Sequence, residues 1–234
     1  MGYKYGQKKI EWVSCEEDTP LVTGSFQYCS DNVIGLTESG KELEVIEMKV
    51  DIMNTEKKYQ VIYADPPWSY RQQGSKETVR GMAKQHYDTM RTEDICNLPV
   101  RNLCTDTSIL FMWATFPNIG EALKVMEAWG FEYKTAAFVW VKENKKSPSL
   151  FWGMGAYTRA NAEVCLLGIS KKTKATEVVK RHDVHQIIMS PIERHSKKPD
   201  CTRDRIVELL GDVSKVELFA RQTAEGWDCW GNEV

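Results

Sequence analysis

The chain has no long apolar run, no paired-cysteine motif and no surplus of charge, and each absence closes a class of function. No stretch of the 234 residues approaches the length of a membrane-spanning helix. Met1-Gly2-Tyr3-Lys4 opens onto no apolar signal region. The seven cysteines, at 15, 29, 96, 104, 165, 201 and 229, are odd in number and never spaced as C-x-x-C. Neither a disulfide framework nor a zinc ribbon is expected, and a reduced, cytoplasmic setting fits. There is no Walker lysine loop, no G-x-G-x-x-G, no G-x-S-x-G and no H-E-x-x-H. Phosphoryl transfer, dinucleotide chemistry and zinc hydrolysis lose their support. His182 and His185 stand three apart without a carboxylate–histidine pattern, so they read as surface residues and no metal is expected.

Net charge is only −2, yet its distribution is uneven. Residues 1–58 carry 11 acids and 7 bases, and residues 59–234 carry 22 acids and 24 bases. The bases gather in what read as loops: Arg71, Lys76, Arg80 and Lys84 in one, Lys145 and Lys146 in another. A basic loop is usually only a solvated one. Several around one site suit a nucleic-acid backbone.

What is present begins with Asp65-Pro66-Pro67-Trp68, directly after the apolar run Tyr59 to Ala64. A buried strand that stops at an acid and two prolines ends in a stiff loop, because proline fixes φ and cannot donate to the ladder. At the carboxyl edge of an open α/β sheet, such a loop lies where ligands bind. It offers a carboxylate and a carbonyl to accept two N–H bonds, and an indole to stack on a planar ring. An aromatic amine matches that set. The plainer reading is a strand-to-turn junction with a core tryptophan.

From Tyr59 onward, strands alternate with helices, which predicts an α/β fold with a mostly parallel sheet. Strands are expected at 59–64, 108–113, 131–141, 163–169, 186–189 and 215–220. A short helix opens at Thr92. Another runs from Pro117, with Ile119, Ala122, Leu123, Met126 and Trp129 on one face and Gly130 as its stop. A third covers 199–210, with Lys198 at its entrance, where backbone donors favour an anion. Residues 70–91 carry two glycines and no apolar period and read as a long loop, mobile without substrate. Residues 1–58 read as an extension, with a strand within 43–53 that could join the sheet; 59–234 form the catalytic domain. Phe151 to Arg159 is rich in glycine and aromatics.

The motifs then fall into an order. Ala64-Asp65-Pro66-Pro67-Trp68, His86-Tyr87-Asp88-Thr89-Met90, Leu110 to Thr115, Phe138 to Lys142, Phe151 to Gly155, Glu163 to Gly168, His195 to Asp200 and Glu217 to Arg221 together resemble the DPPW-type adenine methyltransferases. That family includes the catalytic subunit of the eukaryotic mRNA adenosine methyltransferase, and the chain is most similar to the small bacterial and phage DNA branch. The resemblance covers residues 59–234. It implies a Rossmann-like S-adenosylmethionine-dependent fold in circularly permuted order, with the catalytic strand before the cofactor strand. It implies cofactor contacts from Asp65, Lys198, Arg221, Thr223, Asn232 and Glu233, although relatives carry histidine at the Thr223 position and glutamine at the Glu233 position. Asp65, Pro66, Pro67, Trp68 and the loop residue Tyr87 would carry catalysis. DNA is the implied substrate. RNA adenosine, the cytosine 4-amino group and a non-catalytic nucleic-acid-binding subunit remain as alternatives, and a second copy or partner subunit fits the family.

Overall fold

The computed structural model describes residues 27–29, 32–34, 49–69, 89–155, 157–193 and 197–234. The chain divides into two units, Met1–Glu47 and Met48–Val234. In the first, β1 (Gln27–Cys29) and β2 (Asn32–Ile34) pair antiparallel. Of the strand expected within 43–53, residues 43–48 lie outside the described residues. Its remainder is not a strand: Ile52–Asn54 is a turn, held by the Asp51 carboxylate accepting from the Met53 N–H and the Asn54 amide. Lys49 forms a single parallel bridge to Cys229.

The second unit contains β3 (Tyr59–Ala64), α1 (Thr92–Cys96), β4 (Cys104–Ala114), α2 (Ile119–Ala128), β5 (Glu132–Glu143), β6 (Ala162–Ile169), α3 (Ala175–Val178), β7 (Ile187–Pro191), α4 (Cys201–Leu210), β8 (Lys215–Leu218) and β9 (Asp228–Trp230). Seven of the strands make one sheet in the order β7-β5-β6-β4-β3-β8-β9. All run parallel to β3 except β6, which enters antiparallel between β4 and β5.

The central strands carry unbroken apolar runs, Val61 to Ala64 in β3 and Ile109 to Ala114 in β4, because both faces are covered there. On one face, Ile62, Ala64, Leu110 and Met112 pack with Ile95 of α1 and with Val125 and Met126 of α2. On the other, Val61, Tyr63, Phe111 and Trp113 pack with Ile206 and Leu210 of α4. Each such fully buried large side chain contributes about 1.5–3 kcal/mol. Leu123, counted with the apolar stripe of α2, faces water instead.

Two departures from the sequence reading shape the site. Strand β8 ends at Leu218 rather than Ala220, because Phe219 takes φ 61°, a left-handed conformation unusual for a bulky residue. The chain therefore turns sharply before Arg221. Residues 228–230, read as part of a glycine turn, form the edge strand β9. Gly231 follows it with the Ala220 backbone so near that a Cβ would lie 2.2 Å from the Ala220 carbonyl oxygen.

Strand order reverses at the centre. The chain leaves β3 towards β4 on one side, and leaves β8 towards β9 on the other. The carboxyl ends of β3 and β8 thus form a switch point, where open α/β sheets bind ligands.

Candidate active site

Asp65 stands at that switch point, its N–H directed at the Leu218 carbonyl at 3.4 Å. The two prolines after it are anchored through their carbonyls. Pro66 O accepts the Trp68 N–H at 2.8 Å, and Pro67 O accepts the Met90 N–H at 2.9 Å. One lone pair of the Pro66 carbonyl is therefore in use, and the other is left for a ligand.

Trp68 departs from the expected stacking role. It is buried in the core, and its indole N–H donates to the Trp113 carbonyl at 3.0 Å. The indole braces the loop from beneath and offers no open face at the sheet edge. Trp113 in turn donates to the Tyr63 hydroxyl at 2.7 Å, so the floor of the site is a connected aromatic layer.

Lys198, read as an anion holder at the entrance of α4, does hold anions, and they are the chain's own carboxylates. Its Nζ lies 2.7 and 2.8 Å from the two Asp65 oxygens and 3.3 Å from Glu163 Oε2. Glu163 also accepts from Lys142 Nζ at 2.5 Å. The reversed strand β6 makes this possible: its first residues lie beside the carboxyl ends of its neighbours, Val164 opposite Ala114 and Glu163 opposite Trp140. The alternating series Lys142–Glu163–Lys198–Asp65 is nearly buried throughout, with Lys198 only 9% exposed.

The sharing is unequal. Burial disfavours ionisation of both acids. Lys198 and Lys142 together outweigh it at Glu163, whose pKa is lowered. At Asp65 burial prevails over the pull of the shared Lys198, and its pKa is raised. Burial opposes the charge of Lys198 too, but two carboxylates outweigh it and hold the ammonium firmly protonated.

A second group lines the other wall. Arg203 Nε is 2.7 Å from Glu217 Oε2, and its Nη1 is 2.8 Å from Asp200 Oδ1. Burial pushes the Glu217 carboxyl up and Arg203 draws it back, with a net rise. Arg221 Nε lies 3.7 Å from Glu233 Oε1. Phe219 meets Trp230 edge-on, ring centroids 5.4 Å apart. Asp65, Lys198, Glu217, Phe219, Arg221 and Glu233 line one cleft that opens to solvent.

The structure thus gathers Asp65, Lys198, Arg221 and Glu233 from the expected set. Thr223 and Asn232 are exposed and do not line the cleft. Lys145 and Lys146 are exposed beyond β5. Arg71, Lys76, Arg80, Lys84 and Tyr87, with nearly all of the loop assigned to 70–91, lie outside the described residues. Sequence reasoning missed Lys142 and Glu163 as charged partners, and Arg203, Glu217 and Phe219 as cleft walls. An acid opening the apolar run Val164 to Leu167 was the available signal for Glu163.

A cleft with acids, bases and an aromatic ring at the switch point of a mostly parallel sheet agrees with a Rossmann-like fold, and the family match makes that fold one of the methyltransferase type. The chain belongs to the MT-A70 family, which matches residues 59–233. It is 36% identical over 192 residues to the type II methyltransferase M.MunI of Mycoplasma sp, covering 76% of this chain and 78% of that protein. It is 28% identical to a putative N(6)-adenosine-methyltransferase MT-A70-like protein of Medicago truncatula, over 92% of this chain and 32% of the relative. To the human N(6)-adenosine-methyltransferase catalytic subunit METTL3 it is 27% identical, over 76% of this chain and 28% of the relative. The chain thus spans a third or less of the adenosine-named relatives.

Proposed function

We propose that this chain transfers a methyl group from S-adenosylmethionine to the 6-amino group of adenine in DNA, acting on a flipped-out or single-stranded base. The observation that carries the reading is Asp65: a nearly buried carboxylate at the switch point, steadied by Lys198 and open to the cleft. The donor set of the cleft fits the cofactor. Glu217 and Glu233 suit hydroxyls and an ammonium, Arg221 suits an anionic or hydroxyl-bearing group, and Phe219 offers a ring to an adenine. When bound, S-adenosylmethionine supplies a methyl group already activated by its sulfonium, so no covalent nucleophile is needed.

The chain's own residues must then improve a poor nucleophile. The adenine amino lone pair is delocalised into the ring. Asp65 and the remaining lone pair of the Pro66 carbonyl can accept its two N–H bonds, which favours a pyramidal nitrogen with its lone pair free to attack. Positioning of this kind can supply much of the barrier reduction. The raised pKa of Asp65 suits it to receive the proton that the methylated nitrogen sheds. A base inside a duplex must leave the stack to reach this depth.

DNA rather than RNA is favoured by the resemblance to the small bacterial and phage branch, and by the fuller coverage of the Mycoplasma relative than of the adenosine-named ones. The test is transfer from labelled cofactor to duplex DNA, single-stranded DNA and RNA, followed by digestion to nucleosides. Label in N6-methyldeoxyadenosine supports the proposal. Label in adenosine alone moves the substrate to RNA, and label in cytidine or no label removes the reading.

A further inference from the structure

Between β5 and β6 the chain forms a finger that the proposed chemistry does not use. Its root is tied by the Lys142 N–H donating to the Asn161 carbonyl at 2.9 Å and the Phe151 N–H donating to the Lys142 carbonyl at 2.8 Å. Asn144 closes the near turn, donating from its side chain to Ser149 Oγ and the Leu150 carbonyl. Further out the two arms touch: a Cβ at Gly153 would lie 2.0 Å from the Ala160 carbonyl oxygen. Only glycine allows that approach, so the finger is a built element.

Its tip is apolar and bare. Trp152 is 71% exposed, Met154 79% and Tyr157 wholly so. Most aromatic side chains of the unit are buried, and neighbouring large apolar groups left in water usually mark an interaction surface. Arg159 lies 5.0 Å from the Trp152 ring centroid, covering one face and leaving the residue largely open. The segment 142–161 carries four bases against one acid.

We propose that this finger binds unstacked bases of the substrate strand beside the target adenine, with Trp152 and Tyr157 as the stacking platforms. The inference rests on the reading of nucleic acid as substrate. Aromatic rings interleaved with bases are the chemistry that holds single-stranded nucleic acid, rings on base faces and cations on phosphates. The position agrees, since Lys142 at the finger's root grips Glu163, which shares Lys198 with Asp65. A strand whose adenine enters the cleft would pass this rim, and its neighbouring bases would need a new stacking surface.

The test measures affinity of the full chain for single-stranded oligothymidylate and for an abasic oligomer of equal length, over a range of salt. Trp152→Ala and Tyr157→Ala should each weaken binding of the base-bearing oligomer by about tenfold. Binding of the abasic oligomer should not change, and Trp152→Phe should restore most of the loss. The salt slope should stay as in wild type, because the phosphate contacts remain. Alanine variants that bind oligothymidylate like wild type would overturn the proposal, as would equal losses for both oligomers. If those variants instead convert a dimer to a monomer at unchanged oligomer affinity, the finger joins two copies and the proposal fails. Wild-type methyl transfer separates the layers: an active enzyme with indifferent variants defeats the finger alone, whereas a wild type that binds neither oligomer defeats the functional reading with it.

Discussion

The two ends of the central sheet both carry paired acids and bases, and they treat them differently. At the amino end, Asp228 Oδ2 accepts from the Tyr59 hydroxyl at 2.5 Å and from Lys57 Nζ at 3.0 Å, and Lys215 reaches Asp212 at 2.6 Å. Tyr59 and Lys215 are buried there, but each ion pair keeps one partner in water: the Asp212 side chain is 91% exposed and that of Lys57 53%. At the carboxyl end, four alternating charges are closed off between β3, β5, β6 and the entrance of α4. Water screens the first set, so its pairs add little. The second set pays a desolvation cost that only mutual pairing offsets, and such sets concentrate at functional sites. The lesson is that the number of ion pairs does not locate the chemistry, whereas their burial does.

The comparison breaks most visibly at Asp65. Asp65→Asn keeps the shape but puts an amide N–H₂ where an amino group must donate. Methyl transfer should fall by about 100- to 1000-fold in single-turnover assays, with cofactor affinity by calorimetry within a few-fold of wild type. Next is Lys198→Met, which leaves Asp65 and Glu163 facing each other without the cation they share. Loss of about 3–5 kcal/mol in urea unfolding is expected; a loss under about 1 kcal/mol would mean that water reaches the carboxyl end as freely as the other. A smaller effect distinguishes two changes at Phe219. Its φ of 61° is strained for any residue with a Cβ, so Phe219→Gly should be more stable than Phe219→Ala by about 1 kcal/mol, opposite to the order at ordinary positions. At the amino end, Lys57→Ala should cost less than about 1 kcal/mol and leave methyl transfer unchanged.

How much of this was readable from sequence follows from the physics of each part. Strands β3, β4 and β6 were legible because burial on both faces leaves unbroken apolar runs. Helices α2 and α4 were legible from their periodicity and their glycine stops. Strand β9 was not: three residues between Gly226 and Gly231 carry too little pattern, and pairing with β8 decides their state. Asp65 and Lys198 were each singled out, but their contact spans 133 positions of sequence, and nothing local says that β6 runs backwards to bring Glu163 beside them. Trp68 was read as a stacking face because its motif suggested one. The Trp113 carbonyl beneath it, supplied by a neighbouring strand, draws the indole into the core.

The central claim is that Glu163 and Asp65 share one buried lysine, that Lys142 relieves Glu163 of part of its need for it, and that burial still leaves Asp65 the less fully compensated acid. The signs follow. Folding lowers the pKa of Glu163, so its stabilisation is present above the ordinary carboxyl value and is lost as pH falls through the lowered one. Folding raises the pKa of Asp65, so its ionisation weakens the fold as pH climbs from the ordinary value through the raised one. The most direct measurement is the acid limb of the methyl-transfer rate in wild type, Glu163→Gln and Lys142→Met. Wild type should lose activity at a pH above the ordinary aspartate value of about 3.9, as Asp65 takes up a proton. Glu163→Gln removes the competitor and should move the limb to lower pH. Lys142→Met removes a nearby cation and lets Glu163 draw more on Lys198, so the limb should move to higher pH. Opposite displacements are the predicted result; limbs that stay together, or move in the same direction, would contradict the account.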